Sequence, residues 1–262
     1  MATSFTSQLQ SEYQRLFDTC VINADKYMEI DSYINKMVQA QDRYKSMSTL
    51  TGVPWHVIAI IHCLEGSLSF NKHLHNGDPL TARTVQVPAG RPKTGTPPFT
   101  WEASAQDALT YDGLTKWTDW SVPALLYKFE GFNGYGYHSK GINSPYLWSY
   151  SNQYTKGKFV KDGVYSPTAV SKQCGAAVLL RRMFEKQIAT SEVAAVDRKT
   201  LILNLGNDVL YSPNRYVAKA EELQKLLNLN GAHIRVDGKA GKNTSDAYFA
   251  VTSQFLKGDP RI

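Results

Sequence analysis

Val57-Ile58-Ala59-Ile60-Ile61-His62-Cys63-Leu64-Glu65-Gly66 is the stretch around which the rest of the chain is organised. It reads as a helix, apolar nearly all round, with one carboxylate at its end. Pro54 stands where a first-turn proline belongs, and Gly66 stands where a helix C-terminal glycine belongs. A helix with apolar residues on every side is buried rather than amphipathic. Glu65 is therefore carried by a core helix to the place where that helix emerges. Apolar surroundings and the negative end of the helix dipole both disfavour its charged form. Such a carboxyl can donate a proton near neutrality, as a general acid at a glycosidic bond must. Position alone favours the plainer reading, a solvated glutamate at a helix end.

Working outward, the first fifty residues predict two helices. The first is Leu9 to about Cys20, and the second carries Ile30, Ile34, Met37, Val38 and Tyr44 at helical spacing. Beyond Phe70 the texture changes. Asn76-Gly77 is a turn signal, and Val85 and Val87 alternate with polar neighbours, so a short hairpin is expected there. The segment from Pro88 to Pro98 holds too much glycine and proline for regular structure. Its start, Pro88-Ala89-Gly90-Arg91-Pro92-Lys93-Thr94-Gly95, is basic but lacks phosphate-loop spacing, and reads as a flexible lip. Thr100 can cap a helix over Trp101–Tyr111. Ser121 and Pro123 open another that ends at Glu130-Gly131.

From Tyr127 to Tyr165, 39 residues hold 11 of the chain's 30 aromatics, set among glycines and asparagines with no helical or strand period. That pattern suggests loops lining a groove, where Tyr and Trp offer apolar faces with polar tips to sugar rings. The same rings could instead pack long loops onto the core. Ser166-Pro167 then opens a long helix to about Ile188. Past residue 195 the chain begins again. A helix covers Val217–Leu229, an extended piece Ile234–Val236, a turn Asp237–Thr244, and a last helix Ser245 to Leu256.

The balance of charge is +6, with a sequence pI near 9.0. It favours a polyanionic partner, and the lack of a basic block of five or six residues speaks against nucleic acid. No signal peptide and no bilayer-length apolar run is seen, so stable membrane association is not expected. Cys20, Cys63 and Cys174 are odd in number and widely spaced. They read as reduced core fillers rather than a disulfide framework. His73 and His75 with Asp78 are too few ligands for zinc. No metal and no other cofactor is expected.

Two resemblances add to this reading. Leu223-Gln224-Lys225-Leu226-Leu227-Asn228, followed by Asp237-Gly238-Lys239-Ala240-Gly241-Lys242-Asn243-Thr244, resembles the small helical peptidoglycan-binding domain fused to many wall hydrolases. Of its motif, Leu223, Gln224, Asp237, Gly238, Gly241 and Thr244 read as fold-keeping. Ser253-Gln254-Phe255 departs from the family's usual Phe-Gln order. The main body resembles the lysozyme-like superfamily, nearest goose-type lysozymes and soluble lytic transglycosylases, and looks like a phage endolysin. The residues that carry this are the helix ending in Glu65, then Ser67 and Phe70, the Asn76-Gly77-Asp78-Pro79 turn, and the later Asn133-Gly134-Tyr135-Gly136-Tyr137 stretch. The family's Glu-Ser pair is here Glu65-Gly66-Ser67, and its Gly-Leu-Met-Gln loop is missing.

The resemblance implies a mostly α, lysozyme-like α+β fold. Residues 1–195 would form a helical catalytic domain with a small β/loop lobe, and 196–262 a three-helix peptidoglycan-binding domain. It implies a muramidase cutting the N-acetylmuramic acid–N-acetylglucosamine β-1,4 bond of bacterial peptidoglycan, with Glu65 as general acid. Asp78 would be the second acid, although its Asn-Gly-Asp-Pro setting equally suits a turn former. Glu130 and Glu102 are further candidate acids. Ser67, Asn133, Tyr135, Tyr137, Tyr146, Trp148 and Tyr150 would contact substrate. Lytic transglycosylation, and a wall-binding protein without catalysis, are the alternatives. The expected protein is a monomer, made in the cytoplasm and acting on the wall after phage lysis or export.

Overall fold

The computed structural model describes residues 4–161, 163–189, 199 and 202–262. The fold is mostly helical with one small two-stranded sheet. It divides into two compact units, Met1–Thr190 and Ser191–Ile262. The boundary expected at 195/196 falls outside the described residues. Among the described residues, no single helix is long and apolar enough to cross a membrane.

The N-terminal unit is built around α4 (Trp55–Gly66), whose Val57, Ile58, Ala59, Ile60, Ile61, His62, Leu64 and Gly66 are all buried. It is enclosed by α2 (Tyr27–Gln39), α3 (Gln41–Thr51) and α8 (Ala176–Glu185). Each fully buried isoleucine contributes about 1.5–3 kcal/mol of transfer free energy, so α4 anchors the unit. His62 belongs to this core. It is 0% exposed, its Nδ1 lies 2.8 Å from Tyr44 Oη, and burial pushes its pKa down to about 4. It is neutral near pH 7.

The ends of α4 differ from expectation by one residue each. Pro54 is the N-cap rather than a first-turn residue, and the left-handed position at the C-terminus is Ser67, with φ of 53°. Gly66 is inside the helix for another reason. A Cβ there would lie 2.8 Å from His62 Cδ2, so glycine makes room for the buried imidazole.

The two N-terminal helices expected are three: α1 (Ser7–Asp18), α2 and α3. Ala40 ends α2 with φ of −98° and ψ of 12° and at once opens α3. The hairpin expected at 76–87 is not formed. Val85 and Val87 are 79% and 89% exposed, and the only pairing in that region is an isolated bridge between Lys72 and Pro79. The sheet lies inside the aromatic stretch instead, where β1 (Lys158–Lys161) pairs antiparallel with β2 (Val164–Ser166). The long helix expected from Ser166 begins ten residues later, at Ala176, after an irregular run in which Val170 is 55% exposed. Gly175 starts α8 because a side chain there would strike the Leu147 carbonyl.

Two capped helices follow the expected pattern. Thr100 Oγ1 accepts from Ala103 N at 3.2 Å and opens α5 (Trp101–Tyr111). Ser121 Oγ accepts from Ala124 N at 3.4 Å and opens α6 (Val122–Asn133). The latter runs past the expected stop at Glu130-Gly131. It packs on α1, on the short α7 (Pro145–Trp148) and on α8.

The C-terminal unit holds α9 (202–207), α10 (Ala218–Leu229) and α11 (Lys242–Thr252) around Ile202, Val209, Leu223, Leu227, Tyr248 and Leu256. The extended piece expected at Ile234–Val236 forms no strand, and the last helix starts three residues earlier than expected and stops at Thr252.

Candidate active site

Glu65 lies in the last turn of α4, partly buried, and Tyr146 of α7 donates its hydroxyl to Oε1 at 2.6 Å. Burial is the main influence on this carboxyl and pushes it up to about 7. The tyrosine bond acts the other way, and the negative charge of Asp112 adds to the upward push. Glu65 is thus divided between its acid and its carboxylate form near neutrality. Tyr146 is itself raised well above the ordinary phenol range by burial and by Glu65, so it remains a proton donor in this bond.

The turn after α4 is fitted closely to this end of the helix. Gly77 has φ of 76°, and a Cβ on it would strike the carbonyl oxygen of Glu65. Two residues before it, His75 Nε2 lies 2.8 Å from Asp107 Oδ2 on α5. Arg91 clasps the same carboxylate from the other side, with Nε and Nη2 at 2.8 and 2.7 Å. The segment read as a flexible lip is therefore anchored. Arg91 N also donates to Thr84 Oγ1 at 2.9 Å. Gln173 Nε2 also donates to Leu64 O at 2.8 Å and ties the approach to α8 onto α4.

Asp112, which no sequence motif singled out, is the acid whose charge acts on Glu65. It is the residue that ends α5, with its N–H bonded to Ala108 O at 3.0 Å. Burial raises its carboxyl to about 6, while Lys128 of α6 and Arg91 pull in the opposite direction. Its field also reaches Tyr146. Lys128 rests with Nζ 4.1 Å from the centre of the Trp117 ring. Glu65 of α4 and Tyr146 of α7 thus touch, and both feel the charge of Asp112 at the end of α5, which in turn feels that of Lys128 on α6. Only a tertiary fold could assemble them, and the one local hint was an acid followed by Gly113 at a helix end.

The other candidate acids are engaged elsewhere. Asp78 is 8% exposed, and its Oδ2 accepts from Val85 N at 2.9 Å and Gln86 N at 3.1 Å, which makes it the brace of the 84–87 loop. This is the turn-forming role its Asn-Gly-Asp-Pro setting allowed. Glu102 is paired with Arg43, which holds its carboxyl below the usual range. Glu130 is 2% exposed inside α6 rather than at its end. It accepts from Tyr13 Oη at 2.5 Å, with His138 Nε2 at 3.2 Å.

The expected substrate contacts divide. Tyr146 touches Glu65, and Ser67 is exposed at the end of α4. Asn133 is exposed at the end of α6. Tyr135 is partly buried, stacked at 5.0 Å on Tyr127, and donates to the Tyr127 carbonyl. Trp148 and Tyr137 are 1% and 4% exposed, so they are core residues with no face to offer a sugar. Tyr150 is also buried, its hydroxyl 2.5 Å from Lys172 O and 3.0 Å from Glu29 Oε1, which share its one proton.

In the C-terminal unit, Gln224 is the organising residue. Its Nε2 donates to Asp237 Oδ1, Lys239 O and Thr244 Oγ1 at 3.0–3.1 Å, and its Oε1 accepts from Asp237 N and Gly238 N at 2.9 and 2.7 Å. Leu223 beside it is 0% exposed in the core. Gly238, with φ of 69°, lies under the Tyr216 ring, and Gly241 is the N-cap of α11. These motif residues hold the turn. A cavity of about 270 Å³ beside it is lined by Arg235, Lys239 and Lys242 and by Asp237, with Asn243 and Ile234. Compared with models of known protein families, with curated proteins and with solved structures, the chain matches none.

Proposed function

We propose that this chain is a peptidoglycan hydrolase that cleaves the β-1,4 bond between N-acetylmuramic acid and N-acetylglucosamine, with Glu65 as general acid. The observation that carries the reading is the state of Glu65. A buried helix delivers it, burial raises it to about 7, and Tyr146 fixes its orientation from 2.6 Å. A carboxyl that is still half protonated near neutrality can hand its proton to a departing sugar oxygen as the ring passes through an oxocarbenium-like state. The phenol of Tyr146 then supports the carboxylate left behind.

The C-terminal cavity fits this reading, because the bacterial wall is anionic and Arg235, Lys239 and Lys242 outnumber the one lining acid, Asp237, although Arg235 and Lys242 each also face an aspartate. That unit would hold the wall while the N-terminal unit cuts it, with attraction that weakens as salt is added.

Purified peptidoglycan is the test substrate, with fragments resolved by chromatography and mass. Release of muropeptides with reducing ends by the wild type, lost in Glu65→Gln, supports the proposal. Fragments ending in anhydromuramic acid would instead assign lytic transglycosylation. No release above that of Glu65→Gln would remove the enzymatic reading.

A further inference from the structure

Residues 84–91 form no regular secondary structure, yet their backbone is fixed from both sides. Asp78 Oδ2 accepts from Val85 N at 2.9 Å and from Gln86 N at 3.1 Å, and Asn76 Nδ2 donates to Gln86 O at 3.0 Å. Within the loop, Thr84 N donates to Arg91 O at 2.9 Å and Gly90 N donates to Thr84 O at 2.7 Å. Thr84 Oγ1 accepts from Arg91 N and donates to Pro88 O. Arg91 in turn is clamped onto Asp107 of α5. On this braced loop Val85 and Val87 are 79% and 89% exposed. A loop held so firmly loses little conformational freedom on binding, and its bare valines supply apolar surface to cover.

The anchor of the loop is also the neighbour of Glu65. Asn76, Gly77 and Asp78 are consecutive. The outer two hold the loop, and the middle one lies so close to the Glu65 carbonyl that no Cβ fits between them. His73 closes this turn, its N–H donating to Asp78 O at 2.7 Å and its carbonyl accepting from Gly77 N at 3.0 Å. The valine loop is thus built onto the end of α4 that carries Glu65, through hydrogen bonds and one backbone contact.

The charge around the valines has one sign. Residues 83–93 contain three basic residues and no acid. Arg91 is neutralised by Asp107, whereas Arg83 donates to a carbonyl, Gly95 O, at 2.7 Å. Lys93 makes no ion pair among the described residues, and its Nζ lies 3.4 Å from where a Cβ on Gly90 would stand. The occupant that complements this loop therefore has small apolar groups and negative charge together. The peptide branch that peptidoglycan carries on its N-acetylmuramic acid has both, as alanine methyls and free carboxylates, and it leaves the strand beside the bond to be cut.

We propose that the 84–91 loop is the specificity lip of this site, on which Val85 and Val87 contact the alanine methyls of the peptide branch while Lys93 meets one of its carboxylates. The inference rests on the hydrolase reading of Glu65 and adds no chemical step to it.

The full-length protein tests this on soluble glycan strands that carry their peptides, and on strands from which an amidase has removed them. The wild type is expected to favour peptide-bearing strands by roughly 10-fold in kcat/KM, mostly through KM, a fraction of what full burial of two valines would give. The Val85→Ser/Val87→Ser double variant, whose replaced side chains lie in solvent, is expected to fold and to lose most of that preference. Amidation of the peptide carboxylates is expected to raise KM for the wild type and to leave KM of Lys93→Met in place. The inference is overturned if the double variant keeps the wild-type ratio, or if Lys93→Met responds to amidation as the wild type does. A wild type that cuts both kinds of strand equally well overturns it too, and leaves the hydrolase standing. A wild type that releases no more than Glu65→Gln from either strand removes the hydrolase reading, and this inference with it.

Discussion

The hydroxyl of Tyr146 donates a hydrogen bond to Glu65 at 2.6 Å, and 81 residues of chain separate the two. A donor to a carboxylate favours the ionised form, whereas burial favours the acid, and here burial is the larger influence. The tyrosine therefore restrains a shift that would otherwise go further. Tyr146→Phe removes the donor and leaves the ring. The alkaline limb of the pH–rate profile should move above the wild-type position near 7, with the acid limb unchanged. A limb that moves down, or stays, would show that the bond does not control the proton.

Gly77 tests the fit between the turn and α4. Alanine there must adopt a φ of 76° and would push its Cβ into the Glu65 carbonyl, a backbone atom that cannot swing aside. Gly77→Ala should cost at least ~1–3 kcal/mol of stability, the range of overpacked sites. It should also lower turnover, because the atom it displaces belongs to Glu65. Chemical denaturation and initial rates measure the two effects. Gly134→Ala is the control, since no atom lies within contact distance of its added Cβ, although its φ of 80° carries some strain.

The buried Glu130 joins α1 to the loop after α6 through Tyr13 and His138. Its bond raises the His138 pKa above the ordinary histidine value. A raised histidine contributes stability that is fully present below the unfolded value of about 6.5 and is lost as pH climbs through the folded value. The melting temperature should therefore fall as pH rises above about 6.5, and His138→Gln should flatten that slope. A slope unchanged in the variant would assign it to other groups.

Gln224 supports the C-terminal unit by five hydrogen bonds while 1% exposed. Gln224→Ala strands the backbone amides of Asp237 and Gly238. Each unpartnered buried group costs about 1–3 kcal/mol, so this unit should open well before the other. Hydrogen exchange on the full chain would show loss of protection in α10 and α11, with α4 unaffected.

Much of this architecture was legible because some signals are local. The apolar run 57–64 can only be a core helix, and the Thr100 and Ser121 caps mark their helices through side chains that bond to the next turn. Other features depend on distant partners. Ala40 carries no breaker chemistry, yet α2 and α3 part there because they pack on different neighbours. Val85 and Val87 alternate as strand residues do, but nothing covers them, so the pattern has no face to bury. Phe159 and Tyr165 looked like groove aromatics and are instead a cross-strand pair, 5.5 Å apart, in the only sheet among the described residues.

At the site, Glu65 could be found from its helix alone. The neighbour that matters to it could not. Asp112 has no motif, and its influence on Glu65 arises only through the tertiary fold. Asp78 showed the reverse. Its sequence context suited two roles, and the amides of Val85 and Gln86 show its Oδ2 at work in the turn-forming one.

The proton on Glu65 is open to direct measurement. Protein labelled with ¹³C at glutamate side-chain carboxyls can be titrated by NMR, and Glu65→Gln identifies the resonance by its loss. The account predicts a midpoint near 7, coincident with the alkaline limb of peptidoglycan cleavage. A midpoint near the ordinary glutamate value of about 4.3 would contradict it, because a carboxyl already ionised at neutral pH has no proton to give.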